Sequence, residues 1–193
     1  MRIRFIFLFL LFFSCEPKTN LDNWLKESSF FDSQKLFSSE RFPNLIITRS
    51  FSKIYALGGL RIGWGYSSIK NISKLYQYKK PFNVSRLSCI AASEALKDQR
   101  WISKSVKNNK NNKKFTIEQL DNSLFKTKDT NANFILLEFS HEKIANKFVK
   151  FLYRNKITVR HLASYHLPKH VRMTIGNLNE MKKTIKVCNS FNV

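Results

Sequence analysis

Four of the chain's five glycines fall between Gly58 and Gly65. In a chain of 193 residues this poor in glycine, such a cluster marks a place where the backbone turns tightly or approaches another backbone closely. Upstream, Leu45-Ile46-Ile47-Thr48 is a short apolar, β-branched run behind the Pro43-Asn44 turn signal, and it predicts a buried strand. Leu60 to Tyr66 predicts a second strand. Between the two lie Ser50-Phe51-Ser52-Lys53 and, eight residues beyond the lysine, Arg61. Two hydroxyls, an amine and a guanidinium on a strand-exit loop form a donor set suited to an anion, because Arg61 can present two parallel N–H groups to a phosphate. The spacing excludes a P-loop and a Gly-x-Gly-x-x-Gly dinucleotide fingerprint. On these residues alone, a structural turn with exposed cations is an equal reading.

Downstream the pattern is helical and then mixed. Ile69 to Lys80 predicts a helix with Ile72, Leu75, Tyr76 and Lys79 on one face, ended by Pro81. Ser85 is placed to cap one long helix running from Arg86 towards Lys113. Its Asn/Lys-rich stretch, Lys107 to Lys114, is expected to be a solvated end or linker and sets the domain boundary. Beyond it, Phe115 to Leu124 predicts a helix and Phe134 to Leu137 a strand. Ser140 is expected to cap a helix with Ile144, Phe148, Phe151 and Leu152 on its core face. Ile157 to Leu162 and Val171 to Ile175 predict strands. Asn177 or Asn179 is expected to cap a last helix through Leu178, Met181, Ile185 and Cys188. Strands alternating with helices predict a small C-terminal α/β domain.

Composition narrows the function classes. The formal net charge is +21, with 34 Lys and Arg against 13 Asp and Glu, which favours non-specific association with anionic surfaces. The cations are dispersed along the chain, however, so no specific nucleic-acid footprint is read from them. Cys15, Cys89 and Cys188 lack the spacing of a zinc knuckle or disulfide framework, and the last two read as buried small hydrophobes. His161, His166 and His170 have no acidic or cysteine ligand close by and Pro168 interrupts them, so no metal site is expected. Met1 to Cys15 has a basic start, an apolar run from Phe5 to Phe13 and a small-residue exit, the pattern of a secretory signal.

The seventeen residues Thr48-Arg49-Ser50-Phe51-Ser52-Lys53-Ile54-Tyr55-Ala56-Leu57-Gly58-Gly59-Leu60-Arg61-Ile62-Gly63-Trp64 resemble the signature of fold-type I pyridoxal-phosphate-dependent aminotransferases. The branch they resemble most is that of the histidinol-phosphate aminotransferases. Similarity continues through Lys80 to Val84, Ala132 to Leu136, Ile157 to Arg160 and Leu167 to Gly176, so it spans about residues 42 to 190, the C-terminal half of such an enzyme. The resemblance implies a truncated aspartate aminotransferase-like α/β fold. Residues 1–20 would be a leader or signal-like segment, 21–80 a remnant of the large cofactor-binding domain, 81–114 a long connecting helix, and 115–193 the small domain.

The cofactor so implied is pyridoxal 5'-phosphate. Lys53 would join its aldehyde and then serve as the catalytic base and acid, which requires a neutral amine in a cationic, buried setting. Ser50, Ser52 and Arg61 would hold the cofactor phosphate. Arg172 would clamp the anionic end of the substrate, with Arg160 assisting. The partners would be an amino donor and a 2-oxo acid, with homodimers implied by the family. The sequence departs from the family where an aspartate should protonate the ring nitrogen: Asp22 lies at a comparable distance before the lysine, but the surrounding Asp-Glu-Ala-Tyr segment is replaced by Leu21-Asp22-Asn23-Trp24-Leu25. The expected function is therefore a transaminase acting on histidinol phosphate or a related amino compound. The alternatives are a non-catalytic remnant with the same fold and, less favoured, a basic nucleic-acid-binding protein lacking a concentrated basic–aromatic face. The expected location is cytoplasmic, or exported or lipid-anchored if residues 1–15 act as a signal.

Overall fold

The computed structural model describes residues 44–192, and the signal-like segment and Asp22 lie outside them. The chain forms two compact units that divide between Ile102 and Ser103.

In the first unit, strand β1 (Ile47–Ser50) pairs antiparallel with β2 (Gly63–Tyr66), with Ser50 opposite Gly63. Both strands occur where the apolar runs predict them, although β1 begins two residues late. The expected burial of the first strand is not found, since Thr48, Arg49 and Ser50 are exposed. Among the described residues the one strand neighbour of β1 is β2, and within the strand only Ile47 is half-buried, packed against the core that begins at Phe51. Burial is concentrated just beyond it, in Phe51, Ile62, Trp64, Cys89 and Ala92, flanked by Tyr55, Leu57, Leu60, Val84 and Leu96.

Helix α1 (Ile69–Gln77) is capped by Ser68 and buries Ile72. It stops short of Pro81. Ser85 caps α2 (Arg86–Lys97) as expected, with its hydroxyl accepting the Ser88 N–H at 3.0 Å. The single long helix is broken, however. Asp98 leaves helical geometry at ψ 70°, and its carboxylate accepts the Trp101 N–H at 2.9 Å, starting α3 (Gln99–Gln119). An aspartate competes with the helix for backbone donors and so favours a restart over continuation. The Lys107 to Lys114 stretch is helical throughout, and the helix expected from Phe115 is the end of α3.

The second unit has a four-stranded sheet in the order β3-β4-β6-β5, with every neighbouring pair antiparallel. Its strands are β3 (Phe125–Lys128), β4 (Phe134–Phe139), β5 (Arg160–His161) and β6 (His170–Thr174). Strand β3 was not expected: Phe-Lys-Thr-Lys is short and half charged, and only pairing with β4 makes it a strand. Strand β5 is likewise much shorter than the apolar run around it. Alternation on β4 and β6 sends Ile135, Leu137, Phe139, Val171 and Met173 inward. Helix α4 (Glu142–Arg154) packs on β4, β5 and β6, burying Ala145, Phe148 and Leu152. It is entered through His141 rather than Ser140, with no side-chain cap.

Helix α5 (Leu178–Asn189) starts with a reciprocal capping box between Asn177 and Glu180, which selects Asn177 over Asn179. It buries Met181, Ile185 and Cys188. Burial pushes the Cys188 thiol up to about 12. The outer face of the sheet carries Glu138, His170 and Arg172, all half-buried.

Candidate active site

The loop between β1 and β2 is held mainly by its own backbone. Phe51 N–H donates to the Ile62 carbonyl at 3.2 Å and Leu57 N–H to the Phe51 carbonyl at 3.1 Å, closing the loop over the buried Phe51 ring. Lys53 begins a turn in which its carbonyl accepts the Ala56 N–H at 2.9 Å. A 3-10 turn, Gly58–Leu60, then leads into Arg61. The glycines do not serve here as left-handed hinges, because none of the described ones has positive φ. Those conformations fall instead on Ala56 (φ 57°) and Arg61 (φ 50°). Each costs on the order of 1 kcal/mol for a residue with a Cβ. Gly63 has a clear steric reason: a Cβ there would sit 2.6 Å from the Arg49 carbonyl oxygen across the strand pair.

Ser50 and Ser52 are brought together. The Ser50 hydroxyl accepts the Ser52 N–H at 3.0 Å and donates to Ser52 Oγ at 2.7 Å. The Ser52 hydroxyl proton takes no part in this pair and is the one left to donate elsewhere. Arg61 stands on the same loop, and its Nη1 donates to the Gly58 carbonyl at 2.7 Å. Lys53 is exposed. The buried setting expected of its amine is absent among the described residues.

Tyr55 lies against Phe51 with ring centroids 4.8 Å apart. Burial pushes its phenol up to about 12, against a smaller opposing pull from Arg49. A raised folded value means that the stability Tyr55 contributes is fully present below about pH 10 and is lost as pH rises towards 12. In an ultraviolet titration Tyr55 is expected to give a late step near pH 12, and Tyr55→Phe removes that late step. A wild-type titration with no late step contradicts this placement of Tyr55.

In the second unit, Arg160 and Arg172 stand directly opposite one another across β5 and β6. Arg160 Nη2 donates to the Tyr165 hydroxyl at 2.7 Å, with its guanidinium 4.9 Å from the Tyr165 ring centre. The Arg172 guanidinium lies 5.3 Å from the Phe134 ring centre. Its Nε–H is buried without a hydrogen-bond partner among the described residues. A buried unpaired donor costs about 1–3 kcal/mol, so this nitrogen is one that an anion would satisfy. His170 Nδ1 is likewise buried and unpaired, while its Nε2 lies 3.7 Å from Glu138. His161 Nε2 pairs with the Pro168 carbonyl at 2.6 Å. Among the described residues no group of three or more His, Cys, Asp or Glu gathers to hold a metal ion. Sequence reading missed Tyr165 and Phe134 as partners of the two arginines: Tyr165 is brought to Arg160 by the 3-10 turn Ala163–Tyr165, and Phe134 to Arg172 by the pairing of β4 with β6.

Residues 26–187 match the family model described as aminotransferase class I and II. The chain belongs to this aminotransferase family. Among curated relatives, the histidinol-phosphate aminotransferase of Ruegeria pomeroyi is 37% identical over 147 residues, covering 76% of this chain and 40% of the relative. That of Pelagibacter ubique is 34% identical over 164 residues, covering 84% and 45%. The chain thus spans less than half the length of these relatives.

Solved structures give the same fold. The histidinol-phosphate aminotransferase of Clostridium acetobutylicum superposes with a TM-score of 0.73 at 22% identity, over 87% of this chain and 51% of that one. The enzyme of Sinorhizobium meliloti, solved in complex with pyridoxal-5'-phosphate, superposes with a TM-score of 0.69 at 24% identity, over 76% and 40%. The aspartate aminotransferase of Thermotoga maritima scores 0.66 at 19% identity, over 76% and 39%. The architecture is therefore part of the aspartate aminotransferase-like α/β fold, as the resemblance implies. Among the described residues no helix is long and apolar enough to cross a membrane.

Proposed function

We propose that this chain carries the cofactor-lysine and substrate-arginine parts of a pyridoxal-phosphate-dependent transaminase acting on histidinol phosphate or a similar amino compound, with a 2-oxo acid as the other substrate. The observation that carries the reading is the β1–β2 loop, where two paired hydroxyls, an amine and a guanidinium follow one strand within the family signature. The donor chemistry fits a phosphate: the Ser52 hydroxyl proton is not used in the serine pair, and Arg61 keeps further N–H groups beyond the one given to Gly58.

Bound pyridoxal phosphate supplies an aldehyde and an electron-withdrawing ring. Lys53 would be the amine that holds the cofactor through its aldehyde. Its Nζ would also be the base and acid that moves the proton at the substrate Cα. Ser50, Ser52 and Arg61 would hold its phosphate, with the Ser52 hydroxyl and the Arg61 guanidinium as the donors left for it. Arg172 pairs with the substrate's anionic end through the Nε–H that is otherwise unsatisfied, and Arg160 adds a second cation at the same register position. In this reading residues 1–20 are a leader-like segment, 21–80 belong to the large domain, 81–114 connect, and 115–193 are the small domain. The enzyme would work in the cytoplasm as a homodimer.

The exposure of Lys53 favours a second reading, a non-catalytic chain with the same fold. Titrating the full chain with pyridoxal phosphate and following visible absorbance separates the two. The transaminase reading expects a saturable band that reduction with borohydride fixes at one cofactor per chain. Arg61→Ala should then weaken binding about 10- to 100-fold, the loss of a charge-assisted hydrogen bond. Wild-type chain without a band supports the non-catalytic reading.

A further inference from the structure

The turn that bears Lys53 has two tethers that lie outside the signature segment. The Ile54 carbonyl, at the centre of the turn that Lys53 and Ala56 close, accepts the Trp101 indole N–H at 2.8 Å. The Leu60 carbonyl, in the peptide that enters Arg61, accepts the Ser88 hydroxyl at 2.9 Å. We infer that Trp101 and Ser88 are positioning residues that set the loop from Lys53 to Arg61, one from each end. The inference rests on the reading of Lys53, Ser50, Ser52 and Arg61 proposed above.

Both tethers are themselves anchored. Trp101 sits in the first turn of α3, where its backbone N–H is held by the Asp98 carboxylate at 2.9 Å. Its side chain is thus fixed at the helix end and at the ring nitrogen. Trp101 is 48% exposed, so apolar burial alone does not account for a tryptophan at this place. Ser88 is buried, and its Oγ also lies 2.8 Å from Ser85 Oγ. Because the Ser88 proton goes to Leu60, the Ser85 hydroxyl is the donor in that pair.

The loop needs such ties. Ala56 and Arg61 both hold left-handed backbone angles that residues with a Cβ leave unless their surroundings fix them. The two tethered carbonyls lie close to these residues in the chain, Ile54 before Ala56 and Leu60 immediately before Arg61. Freeing either carbonyl lets the neighbouring peptide rotate. At the Ile54 end that redirects the Lys53 side chain, and at the Leu60 end it redirects the Arg61 guanidinium.

The test uses the full chain with Trp101→Phe, which keeps a ring and removes the N–H, and Ser88→Ala. Each is titrated with pyridoxal phosphate, and the pH at which the visible band changes is recorded beside the melting temperature. Each variant is expected to bind about five-fold more weakly, the worth of one hydrogen bond, and to shift that pH midpoint. A purely structural role would lower the melting temperature and leave the midpoint in place. Variants that match wild type in affinity and midpoint overturn the inference while leaving the Lys53 reading intact. Wild-type chain with no band removes the Lys53 reading and the inference together. If Ser88→Ala fails to fold, Trp101→Phe decides, since Trp101 is an exposed residue.

Discussion

Replacing Lys53 with alanine is expected to eliminate the visible band that the transaminase reading expects on adding pyridoxal phosphate, and with it any amino-group transfer. The bond in question can form only with a primary amine, and no other residue of the β1–β2 loop supplies one. Non-covalent binding should survive in part, because Ser50, Ser52 and Arg61 remain to hold the phosphate. Lys53→Arg is the informative companion. It keeps the positive charge but offers a guanidinium that stays protonated and does not attack an aldehyde, so it too should lack the band.

The high cation content makes stoichiometry essential. With 34 Lys and Arg, surface amines will form adventitious adducts at high cofactor concentration. The prediction is therefore made for the first equivalent bound, fixed by borohydride and located by peptide mapping on Lys53. If the alanine variant retains that first equivalent undiminished, the lysine has been misplaced.

Phe148→Ala is expected to cost about 3–5 kcal/mol, a large share of the 5–15 kcal/mol that holds an ordinary domain together. The Phe148 ring is fully buried. Its centroid lies 5.4 Å from Phe125, 5.0 Å from Phe139 and 5.1 Å from Phe191. Removing it leaves a cavity where α4, β3, β4 and the C-terminal Phe191 meet. Edge-to-face and tilted contacts add to the area term, and three ring contacts are lost together. Phe148→Leu, which refills most of the volume, should recover a good part of the loss. Urea unfolding followed by circular dichroism measures both variants. A change below about 1 kcal/mol for the alanine variant would mean that this cluster is not the centre of the second unit's core.

The elements legible in the chain were those whose pattern is local. β4, β6, α4 and α5 each carry a hydrophobic period that needs no partner to be recognised. Asn177 declared its cap through Glu180 three residues on. β3 was illegible because Phe125-Lys126-Thr127-Lys128 becomes a strand only by pairing with β4. The long helix was overextended because one aspartate, Asp98, has a small local signal and a large geometric effect.

At the site, the residue types and their order were present in the chain: the Ser50–Ser52 pair, the amine and the guanidinium lie within twelve consecutive positions, and short-range chemistry is written in sequence order. Three things came only from folding. They are the pairing of Arg160 with Arg172 across a strand register, the tethers from Trp101 and Ser88, and the exposure of Lys53. Each depends on residues far apart in the chain meeting, or failing to meet, around one side chain. Hydrophobic period and turn chemistry act over a few residues, whereas burial and register are settled by whatever the rest of the fold packs against them.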